Sequence, residues 1–241
     1  MHYCSRISGW LMDLVFPIRC LGCRKIKDVY LCDSCMSDIK INRSFKCIGC
    51  KLAVIDGEAC WLCRDSVYID RLFVATEYKD KLIQRSVKYF KYSFIKELSG
   101  PLSVLLIKYL GLLGKERKIN LFDQSTIVMP VPLSRRRFNW RGFNQAELLA
   151  KSIADNFLMP MEVDTIRRRE GSVLQASVKD RSVRLENVLN IFEAKDLKYA
   201  KGARVILVDD VVTSGATMNE CAKVLKENGA REVFGLAIAR G

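Results

Sequence analysis

Eight of the ten cysteines form four Cys-x-x-Cys pairs, and this arrangement restricts what the first quarter of the chain can fold into. A two-residue spacer lets both thiolates of a pair face one ion, and two pairs complete a tetrahedral shell of four sulfurs. The four pairs therefore predict two structural Zn2+ sites. The predicted ligands are Cys20, Cys23, Cys32, Cys35, Cys47, Cys50, Cys60 and Cys63.

The grouping of these pairs is a separate question. Sequential sites over residues 20–35 and 47–63 need only short loops and are favoured, while a crossed arrangement of alternate pairs stays open. Either grouping gives closed sites without a coordination position for water, which predicts a contribution to folding rather than chemistry. A thioredoxin-like redox role is disfavoured, because it would need one exposed pair at a helix start.

The composition excludes several classes of protein. The chain has 241 residues, of which 49% are hydrophobic, so it is long enough for one large domain and a small one and is not disordered throughout. A single histidine, His2, leaves no residues for a histidine-based triad. Asp13 interrupts the apolar stretch near the N-terminus, which argues against a secretory signal and predicts a reducing, cytoplasmic location.

Beyond the cysteines, apolar strand patterns alternate with helical ones. Buried-type strands are predicted near residues 67–78, 126–129, 204–208 and 232–238, with helices between them. This alternation predicts an α/β fold whose parallel sheet is covered by helices on both faces. The predicted divisions are an amphipathic helix over 1–19, a double zinc module over 20–66 and an α/β domain over 67–241.

The segment from Val205 to Thr217 combines a strand, two acids and a small-residue turn. The strand delivers Asp209 and Asp210 to its carboxyl end, where ligands bind in open α/β sheets. The small residues that follow let backbone N–H groups approach an oxyanion at a helix N-terminus. Acids would repel a phosphate but accept hydrogen bonds from sugar hydroxyls, so the expected ligand is a phosphorylated sugar with vicinal hydroxyls.

This segment resembles the signature of the type I phosphoribosyltransferases, which bind 5-phosphoribosyl-1-pyrophosphate (PRPP) with Mg2+. The resemblance implies the type I phosphoribosyltransferase fold for the α/β domain. It also implies that Asp209 and Asp210 hold the ribose hydroxyls and stabilise the positive charge that develops on the sugar. The positions implied to bind PRPP around them are Val208, Thr213, Ser214, Gly215, Ala216 and Thr217.

Other segments narrow the resemblance to the ComF family of competence proteins (ComFC and GntX-like proteins). They are the run from Val131 to Arg137, the Arg141-Gly-Phe-Asn-Gln segment, the four cysteine pairs, and Arg169 with the residues after it. Pro132, Leu133, Arg135 and Arg136 are then expected near the pyrophosphate. Arg169 is expected, as a catalytic residue, at the start of a loop that closes over this leaving group.

The ComF resemblance also implies a role in natural competence, with single-stranded DNA and the competence helicase machinery as partners. Basic and aromatic residues in one predicted helix agree with this, since cations bind phosphates and rings stack on bases. The candidates are Lys88, Tyr89, Lys91 and Tyr92. Three functions stay open: phosphoribosyl transfer to an unidentified acceptor, PRPP sensing without turnover, and nucleic-acid binding alone.

Overall fold

The structure, a computed structural model, describes residues 17–169, 191–195 and 198–241. The helix predicted over residues 1–19 lies outside this part except for its last three residues. The strands are β1 (Phe45–Lys46), β2 (Ala53–Val54), β3 (Arg71–Glu77), β4 (Thr126–Pro130), β5 (Ile166–Arg168), β6 (Phe192–Ala194), β7 (Arg204–Val212) and β8 (Glu232–Arg240). The α-helices are α1 (Asp33–Ser37), α2 (Lys81–Tyr92), α3 (Ser99–Glu116), α4 (Arg135–Arg141), α5 (Gln145–Phe157) and α6 (Ala216–Glu227).

The centre of the fold is a parallel four-stranded sheet in the order β3-β8-β7-β4. The central residues of its strands are mostly apolar because both faces of the sheet are covered. On β7, Ile206 and Val208 face a cluster that includes residues of α3 and α5, whereas Val205 and Leu207 face one that includes residues of α6. The predicted α/β class, with a parallel sheet covered on both faces, is therefore confirmed.

Helix α3 is predominantly apolar. The stretch Lys96–Glu116 could cross a membrane by length and composition, the only such stretch in the described part of the chain. Several of its side chains, including Leu102, Leu106 and Tyr109, are fully buried in the same cluster as strand β7. The apolar residues on that face of the helix therefore pack against the sheet.

The cysteine-rich segment packs directly on the α/β domain. Leu31, Met36 and Phe45 belong to the hydrophobic cluster that includes sheet residue Phe73. The rings of Phe45 and Phe73 meet edge to face, with 6.0 Å between their centroids. The segment therefore shares a core with the sheet rather than enclosing one of its own.

Both arginine-rich segments have regular secondary structure. The arginine run lies in helix α4, which begins where Ser134 accepts a hydrogen bond from the Arg137 backbone N–H and ends at Gly142, with a φ of 74°. Arg167 and Arg168, expected to begin a loop, lie in strand β5, which pairs antiparallel with β6. The sequence predicts this loop over residues 167–185, and its remainder, residues 170–185, lies outside the described residues.

Candidate functional site

The two acids lie at the carboxyl end of the central strand β7, as the sequence predicts. The strand is buried as far as Val208 and continues through the acids to Val212. Asp210 is only 5% exposed, and its backbone N–H donates to Asp209 Oδ1 at 2.8 Å. Val208 lies directly before them, and its carbonyl oxygen accepts a hydrogen bond from the Val131 N–H at 2.8 Å. The sheet thus fixes the acid pair beside the end of β4.

Lys91, in the last turn of α2, is the counter-ion of this pair. Its Nζ lies 2.7 Å from Asp210 Oδ1, and both side chains are largely buried. Burial alone would lower the pKa of Lys91, but the negative charges of Asp210 and Asp209 outweigh burial and raise the pKa. We therefore place Lys91, a nucleic-acid candidate by sequence, with the acid pair instead.

The carboxyl group of Asp209 has a higher pKa than that of an ordinary surface aspartate. Burial, and then the charge of Asp210, raise the pKa of Asp209 to about 7, although Lys91 opposes the shift. A carboxylic acid with this pKa changes its charge near neutral pH, so the number of acceptor oxygens offered to a ligand depends on pH.

Arg141 is a second cation near the acids, and the sequence analysis assigned it no individual role. Its Nη1 donates to Gln145 Oε1 at 2.8 Å, and Gln145 Nε2 donates to the Phe90 carbonyl oxygen at 3.3 Å. Burial lowers the pKa of Arg141, while Asp210 opposes that shift. Its Nε is buried and has no hydrogen-bond partner among the described residues. The guanidinium thus keeps one donor for a group outside the described fold.

The small-residue turn predicted to bind phosphate connects β7 to α6. Gly215 has a φ of 82°, a left-handed conformation that favours glycine, and stands directly before the first residue of α6. Ser214 Oγ accepts a long hydrogen bond from the Ala216 N–H, at 3.4 Å. Thr213 is exposed, while Ala216 and Thr217 begin the helix. A helix N-terminus framed by small and hydroxyl side chains is suited to an anion.

Three of the four residues expected near the pyrophosphate line a neighbouring cleft of about 1040 Å3. Pro132, Leu133 and Arg135 border it, together with Arg167–Arg169 of the β5–β6 ribbon. Arg136 is exposed in the first turn of α4. Asp209 and Asp210 do not line this cleft, so the structure brings these arginines to the same edge of the sheet as the acids but not into one cleft with them.

Arg169, predicted to be catalytic, follows strand β5. Its Nε lies 3.4 Å from the Glu193 carboxylate on β6, which also accepts a hydrogen bond from Arg167 Nε at 2.6 Å. These contacts place Arg169 on the ribbon beside the cleft. Its catalytic role stays a prediction.

The eight paired cysteines form two clusters, and their grouping is the sequential one. Within each cluster the four sulfurs lie within 4.8 Å of one another. The sulfurs of Cys20 and Cys32 are 3.6 Å apart, and those of Cys50 and Cys60 are 3.4 Å apart. In a tetrahedral zinc–thiolate site, Zn–S bonds of about 2.3 Å place sulfurs about 3.8 Å apart, so both clusters are compatible with structural zinc.

The backbone favours the thiolate form of the first cysteine in each cluster, whereas the pKa of Cys35 and of Cys63 is raised. Burial would raise the pKa of Cys47, but hydrogen bonds from the backbone N–H groups of Cys50, Cys60 and Gly49 lower it to about 6. Burial and backbone N–H groups act on Cys20 in the same way, and its pKa is also about 6. Because zinc binds thiolate rather than thiol, the fold prepares these sulfurs for a metal.

The remaining nucleic-acid candidates lie on the exposed side of α2. Lys88, Tyr89 and Tyr92 are all exposed. Tyr92 contacts Trp140 of α4, with 5.9 Å between ring centroids, and Phe94 contacts the same indole edge to face at 5.1 Å. Trp140, which no sequence pattern singles out, joins Tyr92 and Phe94 in an aromatic cluster of three exposed rings.

Comparison with known proteins agrees with this architecture. A family model described as "Phosphoribosyl transferase domain" matches residues 144–239, which include the acid pair and the small-residue turn. Competence protein F of Haemophilus influenzae is 30% identical over 226 residues, covering 91% of this chain and 90% of that protein. The chain belongs to the competence protein F (ComF) family.

Other relatives of this ComF-family protein have related names. Competence protein ComFC of Streptococcus pneumoniae is 29% identical over 86% of this chain and 81% of that protein. DNA utilization protein YhgH of Escherichia coli K12 is 32% identical over 68% of this chain and 69% of that protein. A purine phosphoribosyltransferase structure from Pyrococcus horikoshii has a TM-score of only 0.32 at 17% identity over 56% of this chain and 81% of that chain, and we draw no conclusion from it.

Proposed function

We propose that this ComF-family protein binds PRPP with Mg2+ at the carboxyl edge of its sheet. The observation that carries the proposal is the placement of half-buried Asp209 and buried Asp210 at the end of a strand that leads into a glycine turn at a helix N-terminus. In this proposal Asp209 and Asp210 accept hydrogen bonds from the ribose hydroxyls. The backbone N–H groups and hydroxyls from Thr213 to Thr217 hold the 5-phosphate.

The cations around the acids complete the proposed site. Lys91 forms an ion pair with Asp210, and the buried Nε of Arg141 offers a donor to an anionic ligand. Arg135 and Arg136 are exposed near the end of β4 and are suited to the pyrophosphate. Mg2+ would enter with the pyrophosphate and neutralise part of its charge, since this ion prefers phosphate and carboxylate oxygens.

Turnover is the next step of the proposal. A nucleophile on an unidentified acceptor forms a bond to C1 of the ribose, and the C1–O bond breaks with its electron pair leaving on pyrophosphate. The acid pair stabilises the positive charge on the sugar, and Arg169 contributes to covering the leaving group. Sensing of PRPP without turnover is the alternative, because no general base or base-reading pocket is evident from the sequence.

Calorimetric titration of PRPP with Mg2+ tests the proposal. Wild-type protein should bind, and Asp210→Asn should lose most of the affinity because it removes an acceptor for a ribose hydroxyl. Asp155→Asn makes the same change on the exposed side of α5, where Asp155 pairs with Lys151, and should bind like wild type. Absence of binding to folded, zinc-replete wild-type protein would refute PRPP as the ligand.

The two cysteine clusters are proposed to hold one structural Zn2+ each, in line with a reducing, cytoplasmic location. Metal analysis of protein purified without chelators should give about two zinc ions per chain. One ion or none per chain would contradict this assignment.

Binding of single-stranded DNA is a second candidate function, favoured by the aromatic cluster of Tyr92, Phe94 and Trp140. Rings that are exposed and in mutual contact can stack on successive bases, and Lys88 adds a cation nearby. The names of the relatives, which refer to competence and DNA utilization, agree with such a role. Any contact with helicase machinery would follow from this DNA role.

Fluorescence anisotropy with a labelled oligothymidine tests the DNA role. We expect Trp140→Ala to weaken binding about fivefold or more, because loss of one stacking ring costs about 1–3 kcal/mol per base. Tyr199→Ala removes another exposed ring, which is not part of the cluster, and should have no effect. Equal binding by these two variants would exclude the aromatic cluster as the DNA surface.

A further inference from the structure

The second cysteine cluster touches the small-residue turn directly. Ile48 lies between Cys47 and Gly49 and is almost fully buried. A Cβ atom added to Gly215 would lie 2.6 Å from Ile48 Cγ1, which is shorter than any normal contact. The Ile48 side chain therefore packs against the backbone of the turn proposed to hold the 5-phosphate.

Arg240 ties the same segment to the sheet. It is the last residue of β8 and pairs with Val212 in the register between β8 and β7. Its guanidinium donates to the Cys47 carbonyl oxygen at 2.8 Å and to the Ile48 carbonyl oxygen at 2.6 Å. The carbonyl groups of Cys47, a predicted zinc ligand, and of Ile48 are thereby fixed next to the strand that carries the acid pair.

The far end of the cluster is tied to α6. Beyond Cys63, the Tyr68 backbone N–H donates to Asn219 Oδ1 at 2.6 Å. Asn219 lies in the first turn of α6, and its own N–H donates to the Gly215 carbonyl oxygen at 2.9 Å. Both ends of the second cluster therefore reach the turn, one through Ile48 and the other through Asn219.

The first cluster packs elsewhere and provides an internal comparison. A Cβ atom added to Gly22 would meet Cys35 of its own cluster and, at 3.3 Å, Leu82 in the first turn of α2. The Leu21 carbonyl oxygen accepts a hydrogen bond from Arg85, also on α2. These contacts lie on the N-terminal half of that helix, away from Lys91 at its end.

We infer that Ile48 is a positioning residue, through which metal in the second cluster holds the phosphate-binding turn in its ligand-ready conformation. The inference rests on the proposed function for its ligand, but the contact itself does not. Metal fixes Cys47 and Cys50, these residues fix Ile48, and Ile48 limits the movement of Gly215. Metal binding at this cluster and anion binding at the turn are then coupled, and each must strengthen the other equally.

The first arm of the test uses Ile48→Ala, which retains all eight cysteines, with Ile48→Val as the conservative variant. Amide hydrogen exchange of residues 213–217 should be faster in Ile48→Ala and near wild type in Ile48→Val, while exchange in β4 stays slow. Affinity for PRPP with Mg2+ should fall about tenfold in Ile48→Ala and be largely restored in Ile48→Val. Unchanged exchange of the turn in Ile48→Ala would overturn the inference whether or not PRPP binds.

The second arm measures zinc release to a chromogenic chelator, with and without PRPP and Mg2+. Ligand should slow the release of one zinc ion in wild-type protein and have little effect on the other. Cys23→Ser and Cys50→Ser alter matched exposed positions of the two clusters, so the slowed ion should persist in Cys23→Ser and be absent in Cys50→Ser. Failure of wild-type protein to bind PRPP would refute the proposed function alone, whereas binding that leaves both release rates unchanged would refute the coupling.

Discussion

Replacing Lys91 by methionine tests how much its positive charge stabilises the folded protein through the acid pair. The change keeps most of the aliphatic stem and removes the ammonium that lies 2.7 Å from Asp210 Oδ1. At that separation the attraction is about 6 kcal/mol with an effective dielectric constant of about 20. Loss of one partner of a buried pair costs about 3–5 kcal/mol, because the other charge stays buried. Since Lys91 is 20% exposed and Arg141 remains nearby, we expect a loss of about 3 kcal/mol at pH 8.

The pH dependence of this loss has a definite sign. The raised pKa of Lys91 means that its stabilisation is complete below its unfolded pKa and is lost only at strongly alkaline pH. Asp209 behaves differently: its pKa is about 7, so it takes up a proton as the pH falls, and its neutral form no longer attracts the Lys91 ammonium. Lys91→Met should therefore cost less at pH 5.5 than at pH 8, by about 1 kcal/mol or more.

Urea unfolding followed by tryptophan fluorescence measures these losses. Lys46→Met is the matched control, because Lys46 lies 2.8 Å from Glu77 in a much more exposed pair and should cost less than about 1 kcal/mol. The double variant Lys91→Met/Asp210→Asn should be less destabilised than the sum of its single variants. Equal costs for Lys91→Met and Lys46→Met, or a cost for Lys91→Met that grows at low pH, would refute the reasoning.

Three further predictions concern binding and stability. PRPP affinity measured by calorimetric titration should be about tenfold weaker at pH 6 than at alkaline pH, because Asp209, with a pKa of about 7, is mostly protonated at pH 6. The Asp209→Asn variant should lack this part of the pH dependence. Removing zinc with a strong chelator should lower the midpoint of thermal unfolding by several degrees, because the four thiolates of each cluster are then no longer held together by an ion. An unchanged midpoint would show that the metal sites add nothing to stability. Burial would raise the pKa of Asp123, but hydrogen bonds from Ser125 and Arg231 outweigh burial and lower the pKa. In urea unfolding, Asp123→Asn should therefore reduce the free energy of unfolding by about 1–2 kcal/mol at pH 7, and by progressively less as the pH falls towards 2.

Much of the site was predictable because its parts are neighbours in the chain. The strand ending in Asp209 and Asp210, the turn after it and the start of α6 lie within thirteen residues, Val205 to Thr217. Local rules govern such a unit, since an apolar run predicts a buried strand and a glycine before a helical pattern predicts a turn. The cysteine spacing likewise predicted the two clusters, and it favoured the grouping that the structure has.

The cations of the site were not predictable in the same way. Lys91 is more than one hundred residues from Asp210 in sequence, and its helix also carries exposed lysines that look the same in the chain. Arg141 belongs to a segment that was important for the family resemblance, but its contact with Gln145 and its buried Nε depend on how α4 meets α5. Only the packing of α2 and α4 against the end of the sheet decides which cation is buried beside the acids.

The sequence by itself therefore determined the α/β class, the two sulfur clusters and the strand–turn–helix unit, because each depends on short-range patterns of apolar, small and chelating residues. The tertiary structure alone decided that Lys91 neutralises Asp210 and that Ile48 lies against Gly215. Both contacts join elements far apart in the chain. No local pattern encodes them, because they arise from the way whole elements pack at one edge of the sheet.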